Sequence, residues 1–191
     1  SGASNQRSDG YGGDIGKRYR FLGEVMEAVK GAVGQDYPLF IKLSGHDYID
    51  GGLTTEEALH VARRLVDDGI DCIEVSAGSR ASANGMVPSR GNIHKEENEA
   101  YLAQLAARFK ESVNVPIVTV GGIRSPAVIS KVLDEGLADY VALCRPFIRE
   151  PHLMNRWKSG DLERAKCISC NGCFDTGLEG FGVTCKAERK L

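Results

Sequence analysis

The chain has 191 residues, 42% hydrophobic and 26% charged, which is enough apolar content to bury a core and too much to be a disordered tail. A net charge of −2 gives no sign of a nucleic-acid or anionic-membrane partner. No apolar run reaches the roughly 18 residues of a membrane span.

The opening SGASNQRSDGYGG is polar and does not read as a signal peptide; it lacks an initiator Met, which points to processing, a fusion scar or an upstream part. Next, DIGKRYRFLGEVMEAVKGAVG (14–34) predicts a helix with Phe21, Leu22, Val25, Met26, Val29 and Val33 on one face. PLFIKLS (38–44) predicts a short strand. TTEEALHVARRLVDDG (54–69) predicts a helix with a capping box of Thr54 and Glu57. DCIEVSA (71–77) is a strand, KEENEAYLAQLAARFKESV (95–113) a helix and PIVTVGG (116–122) a strand. SPAVISKVLDEG (125–136) is a helix with Ser125 as cap and Pro126 at its first position. ADYVALC (138–144) is a strand, and EPHLMNRWKSG (150–160) a closing helix.

This is an α/β chain of four βα units opened by an extra helix, and short continuous apolar strands fit a parallel sheet covered by helices. A (β/α)₈ barrel takes about 250 residues, so the chain matches the size of half a barrel. Function in such sheets gathers at the carboxyl ends of the strands.

There Gly121 and Gly122 leave the main chain open to a ligand. Ser125 and Pro126 then open a helix whose amides and dipole favour an anion. One unit later Arg145 ends the next strand, and a guanidinium grips phosphate bidentately. The pair predicts a phosphate site. Lys42, inside the strand FIKLS, reads as a buried lysine: it offers charge to an electron-rich ring, or it pairs with Asp71 or Glu74.

Cys72 and Cys144 sit in apolar runs and read as buried small hydrophobes. Cys167, Cys170 and Cys173 are separated by two residues each, and Cys185 follows after eleven more. Four thiolates at this spacing can surround an iron–sulfur cluster or a zinc ion, or stand as unligated or adventitiously paired thiols. Without a secretory signal, thiol or metal chemistry in a reducing cytoplasm is expected rather than disulfides.

SNQRSDGYGGDIGKRYRFLGEVMEAV resembles the Asn-x-Arg-x-Asp-x-Tyr-Gly-Gly segment and following helix of the Old Yellow Enzyme-like NADH:flavin oxidoreductases. IKLSG, GGLTTEEAL, GIDCIEVSAG, VPIVTVGGI and ADYVALCRPFIREPHL follow in the order and spacing of that family. The resemblance implies a TIM-barrel flavoenzyme that binds FMN. It would use NAD(P)H to reduce activated C=C bonds of a small-molecule substrate, such as an enone or enoyl thioester. FMN carries the hydride chemistry and the protein orients and tunes it. By this resemblance Lys42 lies by the N1/O2 edge of the flavin, where many members have Arg, and Gly121, Gly122 and Arg145 hold the phosphate. The matching stretches add Ala77, Gly78, Ile123 and Cys144 to the cofactor-binding set, Cys144 standing where many members have Gly.

The resemblance begins after the fourth strand of the family's barrel. The expected organisation is the second half of an FMN-binding barrel over 1–160 and a cysteine-rich tail over 161–191. The residues that hold the substrate carbonyl and the proton-donor Tyr belong to the other half, so no catalytic acid is assigned here. His46, Tyr48, His94 and Tyr101 read as polar loop residues, and Arg7, Asp9 and Tyr11 as structural. In the larger members, of the trimethylamine dehydrogenase and dienoyl-CoA reductase type, a very similar cysteine set holds a [4Fe-4S] cluster, which implies the same for Cys167, Cys170, Cys173 and Cys185. The expected partner is an amino-terminal half-barrel, from the same gene product or a separate chain, or a second copy. The alternative is a non-catalytic flavin- or phosphate-binding half-barrel.

Overall fold

In the computed structural model, which describes residues 1–82, 85–180 and 182–188, Asp14 starts the first helix by accepting from the Lys17 amide. This helix, α1, spans Ile15–Val33. Four strands follow: β1 Phe40–Ser44, β2 Cys72–Ser76, β3 Ile117–Val120 and β4 Tyr140–Ala142. They form one sheet in chain order, every neighbouring pair parallel. The connecting helices are α2 (Thr55–Asp67), α3 (Ala103–Ser112) and α4 (Pro126–Asp134). A parallel sheet wound in sequence, with no reversal of strand order, is a sector of a TIM barrel rather than a doubly wound sheet.

Alternation along the strands decides what is buried. Ile73, Val75 and Ile117 point to the helix side and are closed off by Leu65 of α2, Phe109 of α3 and Val132 of α4. The opposite face carries the in-register row Lys42–Glu74–Val118–Tyr140, and Phe40 and Tyr140 on that face are exposed.

Thr54 and Glu57 make the expected capping box on α2. Other elements depart from expectation. Of the apolar face predicted for α1, Met26 is buried beside Tyr19, whereas Phe21, Val25, Val29 and Val33 are exposed, because α1 packs against α2 along a narrower stripe than its apolar residues span. The helix predicted from residue 95 is split into a 3₁₀ turn at Glu96–Asn98 and the later α3. Ala100 takes φ of 50° and the Tyr101 amide donates to Gly121 O at 3.2 Å, so this stretch serves the β3–α4 turn instead of a helix. The closing helix shortens to α6 (Leu153–Lys158), preceded by α5 (Arg145–Arg149) and followed by α7 (Gly172–Leu178) in the cysteine tail. Leu153, Trp157 and Ala165 form a second small core with Leu143 and Phe147. No helix among the described residues is long and apolar enough to cross a membrane.

Arg7 makes a two-point pair with Asp9, at 3.0 and 2.5 Å, and Asp9 accepts the Tyr11 amide; these bonds pull its carboxyl down to about 2. Tyr11 OH donates to Glu24 of α1 at 3.0 Å. The opening motif therefore bonds to itself and to α1.

Candidate functional site

A cavity of about 220 Å³ lies at the carboxyl ends of the strands. Its floor includes Ser76, Val120 and Ala142 of the uncovered sheet face, with Lys42 at one side. The wall joins the turn after β3 (Gly121, Gly122, Ile123) to the start of α5 (Cys144, Arg145). Six of the eight residues expected to bind a cofactor are thus brought together. Ala77 and Gly78 are not: Ala77 is buried and the Gly78 amide donates to His46 O at 2.7 Å, which locks the β2 loop to the β1 loop.

Gly121 and Gly122 adopt φ of 136° and 71°, left-handed backbone that glycine tolerates. Their close neighbour is the Tyr101 ring, 3.0 Å from where a Cβ would stand at either position. Tyr101 is held in turn by its hydroxyl on Pro88 O, at 3.0 Å, and by Arg90 stacked 4.3 Å over the ring. Among the described residues, the amides of Gly122 and Ile123 find no acceptor. They remain available to an anion in the cavity.

The amino end of α4 is a correction to the sequence reading. Its anion is supplied by the chain itself. Glu99 accepts from the amides of Arg124 (2.7 Å) and Ser125 (2.9 Å) and from the Ser125 hydroxyl (3.0 Å). Ser125 makes no side-chain cap of its own. Arg124 is buried beside it and donates to Ile93 O and, at 2.6 Å, to Cys167 O. Burial pulls the Arg124 guanidinium below its ordinary range, against the opposing pull of Glu99.

Arg145 is nearly buried, and its Nη1 donates to Arg90 O at 2.9 Å and to Asn171 Oδ1 at 2.5 Å. Among the described residues its other guanidinium nitrogens are unpaired, so they remain for a ligand. Lys42 pairs with Glu74, one of the two partners expected, directly opposite in register, but its burial is corrected: its side chain is 54% exposed, because alternation turns it to the uncovered face. Asp71 instead accepts the Leu39 amide at 2.7 Å. Cys144 is exposed rather than buried, since β4 ends at Ala142 and Cys144 stands at the cavity; Cys72 is buried, which raises its thiol.

The four tail cysteines, Cys167, Cys170, Cys173 and Cys185, line one small cavity of about 20 Å³. The donor set suits a soft metal centre. Among the described residues, however, no three His, Cys, Asp or Glu side chains converge as ligands of a single ion. Burial raises the Cys173 thiol, and Arg149 donates to Cys185 Sγ at 3.4 Å. Arg145 and Cys167 belong to the walls of both cavities.

His46 and Tyr48 stack on each other at 4.4 Å, and His94 O accepts from Arg164. Sequence reasoning misses Glu99, Arg124, Tyr101 and Asn171. For Asn171 there is a signal, its place between Cys170 and Cys173; Glu99 lies in an acidic run that carries none.

A model of the NADH:flavin oxidoreductase / NADH oxidase family matches residues 1–163. The chain is 39% identical over 174 residues to an NADH oxidase of Thermoanaerobacter brockii, covering 90% of this chain and 26% of that protein. It is 33% identical to a metal reductase of Desulforamulus reducens, over 95% of this chain and 27% of that one. Among solved structures it superimposes on a 2-naphthoyl-CoA reductase bound to 2-naphthoyl-CoA with a TM-score of 0.80 and 28% identity, over 95% of this chain and 27% of that one. The chain therefore spans about a quarter of the length of these relatives.

Proposed function

Because the chain belongs to the NADH:flavin oxidoreductase / NADH oxidase family, we propose that it is the FMN-gripping half of a barrel that uses NAD(P)H to reduce a conjugated C=C bond. The observation that carries this reading is the pairing of two free amides, at Gly122 and Ile123, with the open guanidinium edge of Arg145 on adjacent strand ends. Amides and guanidinium together suit a phosphate monoester. FMN, when bound, supplies the hydride chemistry.

The residues of this chain have distinct tasks. Gly122, Ile123 and Arg145 bind the phosphate. Lys42 presents positive charge on the uncovered face, moderated by Glu74. Cys167, Cys170, Cys173 and Cys185 would hold an iron–sulfur cluster; their shared cavity and their spacing support this. The cavity, at about 220 Å³, is smaller than the roughly 300–1,000 Å³ of most small-molecule sites. An additional wall is needed. The exposed stripe Phe21, Val25 and Val29 and the uncovered sheet face support a preceding half-barrel as that wall, from the same gene product or another chain. A conjugated thioester as substrate is supported by the likeness to 2-naphthoyl-CoA reductase.

The test is anaerobic. The full-length protein is purified, its flavin identified, and its bleaching by NADH and NADPH followed, then its reoxidation by an enone and by an enoyl thioester. FMN retained, reduced by a nicotinamide and reoxidised by one of these acceptors is the expected result. Absence of FMN, or a flavin that neither nicotinamide bleaches, overturns the reading.

A further inference from the structure

Both loops of the phosphate cradle are tied to the cysteine segment. From the β3 turn, Arg124 donates to Cys167 O at 2.6 Å. From the start of α5, Arg145 donates to Asn171 Oδ1 at 2.5 Å. Asn171 also clamps the loop that carries the other Arg145 acceptor: its Nδ2 donates to Ser89 O at 2.9 Å, and Ser89 Oγ lies 3.2 Å from its Oδ1. Ser169, almost fully buried, accepts the Asn92 amide at 3.0 Å. Asn171, which stands between Cys170 and Cys173 in the sequence, has left-handed backbone, φ 62°, and its amide group meets Arg145 and Ser89.

A guanidinium on a long side chain has many rotamers to lose when it binds phosphate. Two fixed acceptors on Nη1 remove that freedom beforehand and leave the other nitrogens of a cavity-lining side chain unpaired among the described residues. One of those acceptors is contributed by the cysteine segment. We propose that this segment is a strap over the phosphate cradle and that Asn171 is the positioning residue that orients Arg145, so that order in the cysteine segment and binding of the flavin phosphate reinforce each other. The inference rests on the FMN reading above.

The experiment compares FMN with riboflavin, which lacks the phosphate, on the full-length protein stripped of flavin and treated with a chelator. Dissociation constants are read from flavin fluorescence. Asn171→Gly keeps the left-handed backbone and removes the side chain; Asn171→Asp keeps the acceptor. The expected result is FMN binding at least tenfold weaker in Asn171→Gly and riboflavin binding within twofold of wild type. Asn171→Asp keeps the acceptor for Arg145 but loses the donor to Ser89 O and adds negative charge near the phosphate, so its FMN affinity should fall between those of wild type and Asn171→Gly. Coupling is reciprocal, so FMN should slow alkylation of the exposed Cys170 by iodoacetamide in wild type and not in Asn171→Gly. Equal loss of FMN and riboflavin, or no loss of either, overturns the proposal, as does equal protection of Cys170 in both proteins. A wild type that binds neither flavin overturns the FMN reading itself, and this proposal with it.

Discussion

The Glu99 carboxylate lies 3.7 Å from the Arg124 Nε, and both side chains are almost fully enclosed, at 0% and 4% exposure. The same carboxylate accepts the last two amides of the β3–α4 turn, those of Arg124 and Ser125, so one group neutralises a buried arginine and caps α4. Removing one member of a buried pair leaves an uncompensated charge, at a cost of about 3–5 kcal/mol. Glu99→Ala should lower the urea unfolding free energy by that amount, with Glu99→Gln, which keeps an acceptor, losing less.

Gly121 supports a second prediction about the same turn. Its φ of 136° and the Tyr101 ring 3.0 Å from its missing Cβ both oppose a side chain. Gly121→Ala should destabilise by about 1–3 kcal/mol. The double variant with Tyr101→Leu should recover the steric part and keep the backbone part, which a double-mutant cycle by urea denaturation separates.

Lys42 and Glu74 give a redox prediction. In the FMN-loaded protein, Glu74→Gln should raise the flavin midpoint potential, since it leaves the Lys42 charge unmoderated and positive charge favours the reduced form, and Lys42→Met should lower it. Dye-coupled anaerobic titration reads both.

Acid stability should track Asp139. Burial would raise its carboxyl, but the Lys110 ammonium at 2.7 Å and the Ile117 amide at 2.9 Å outweigh burial and hold it below its ordinary 3.8. A lowered folded value contributes stability that is complete above 3.8 and disappears as pH falls through the folded value. Thermal midpoints of the wild type should therefore fall on acidification below that point. In Asp139→Asn the midpoint should be lower at neutral pH and the acid limb flatter. Glu57, lowered by Thr54 and Arg18 against its own burial, keeps some acid sensitivity in the variant.

The parallel strands are legible in the sequence because each is a short apolar run; Gly121–Gly122 and Arg145 stand out only as a pair one βα unit apart, since a glycine pair alone fits a plain turn and a lone arginine a surface side chain. Lys42 misleads because only one face of the sheet is covered, and a run such as FIKLS does not say which. Two short helices escape notice: α5 with five residues and α7 with seven barely complete a turn or two of periodicity. Glu99 escapes for a different reason. Its role depends on a turn 25 residues later in the chain, and no local pattern in EENEAY points there.

The strap also has a place in time. Its bonds join residues far apart in the chain, 43 positions for Arg124 with Cys167 and 82 for Ser89 with Asn171. Each doubling of a loop adds only about 0.6 kcal/mol of closure entropy, yet such contacts form only after the strands they bridge are in place. The cysteine segment then docks after the strands it bridges and leaves before them. Its amide hydrogens should exchange through partial opening while those of Ile73 and Val75 wait for the sheet to unfold. A newly made chain would complete this cradle only after β1 to β4 had formed and residues 167–171 had docked on their loops.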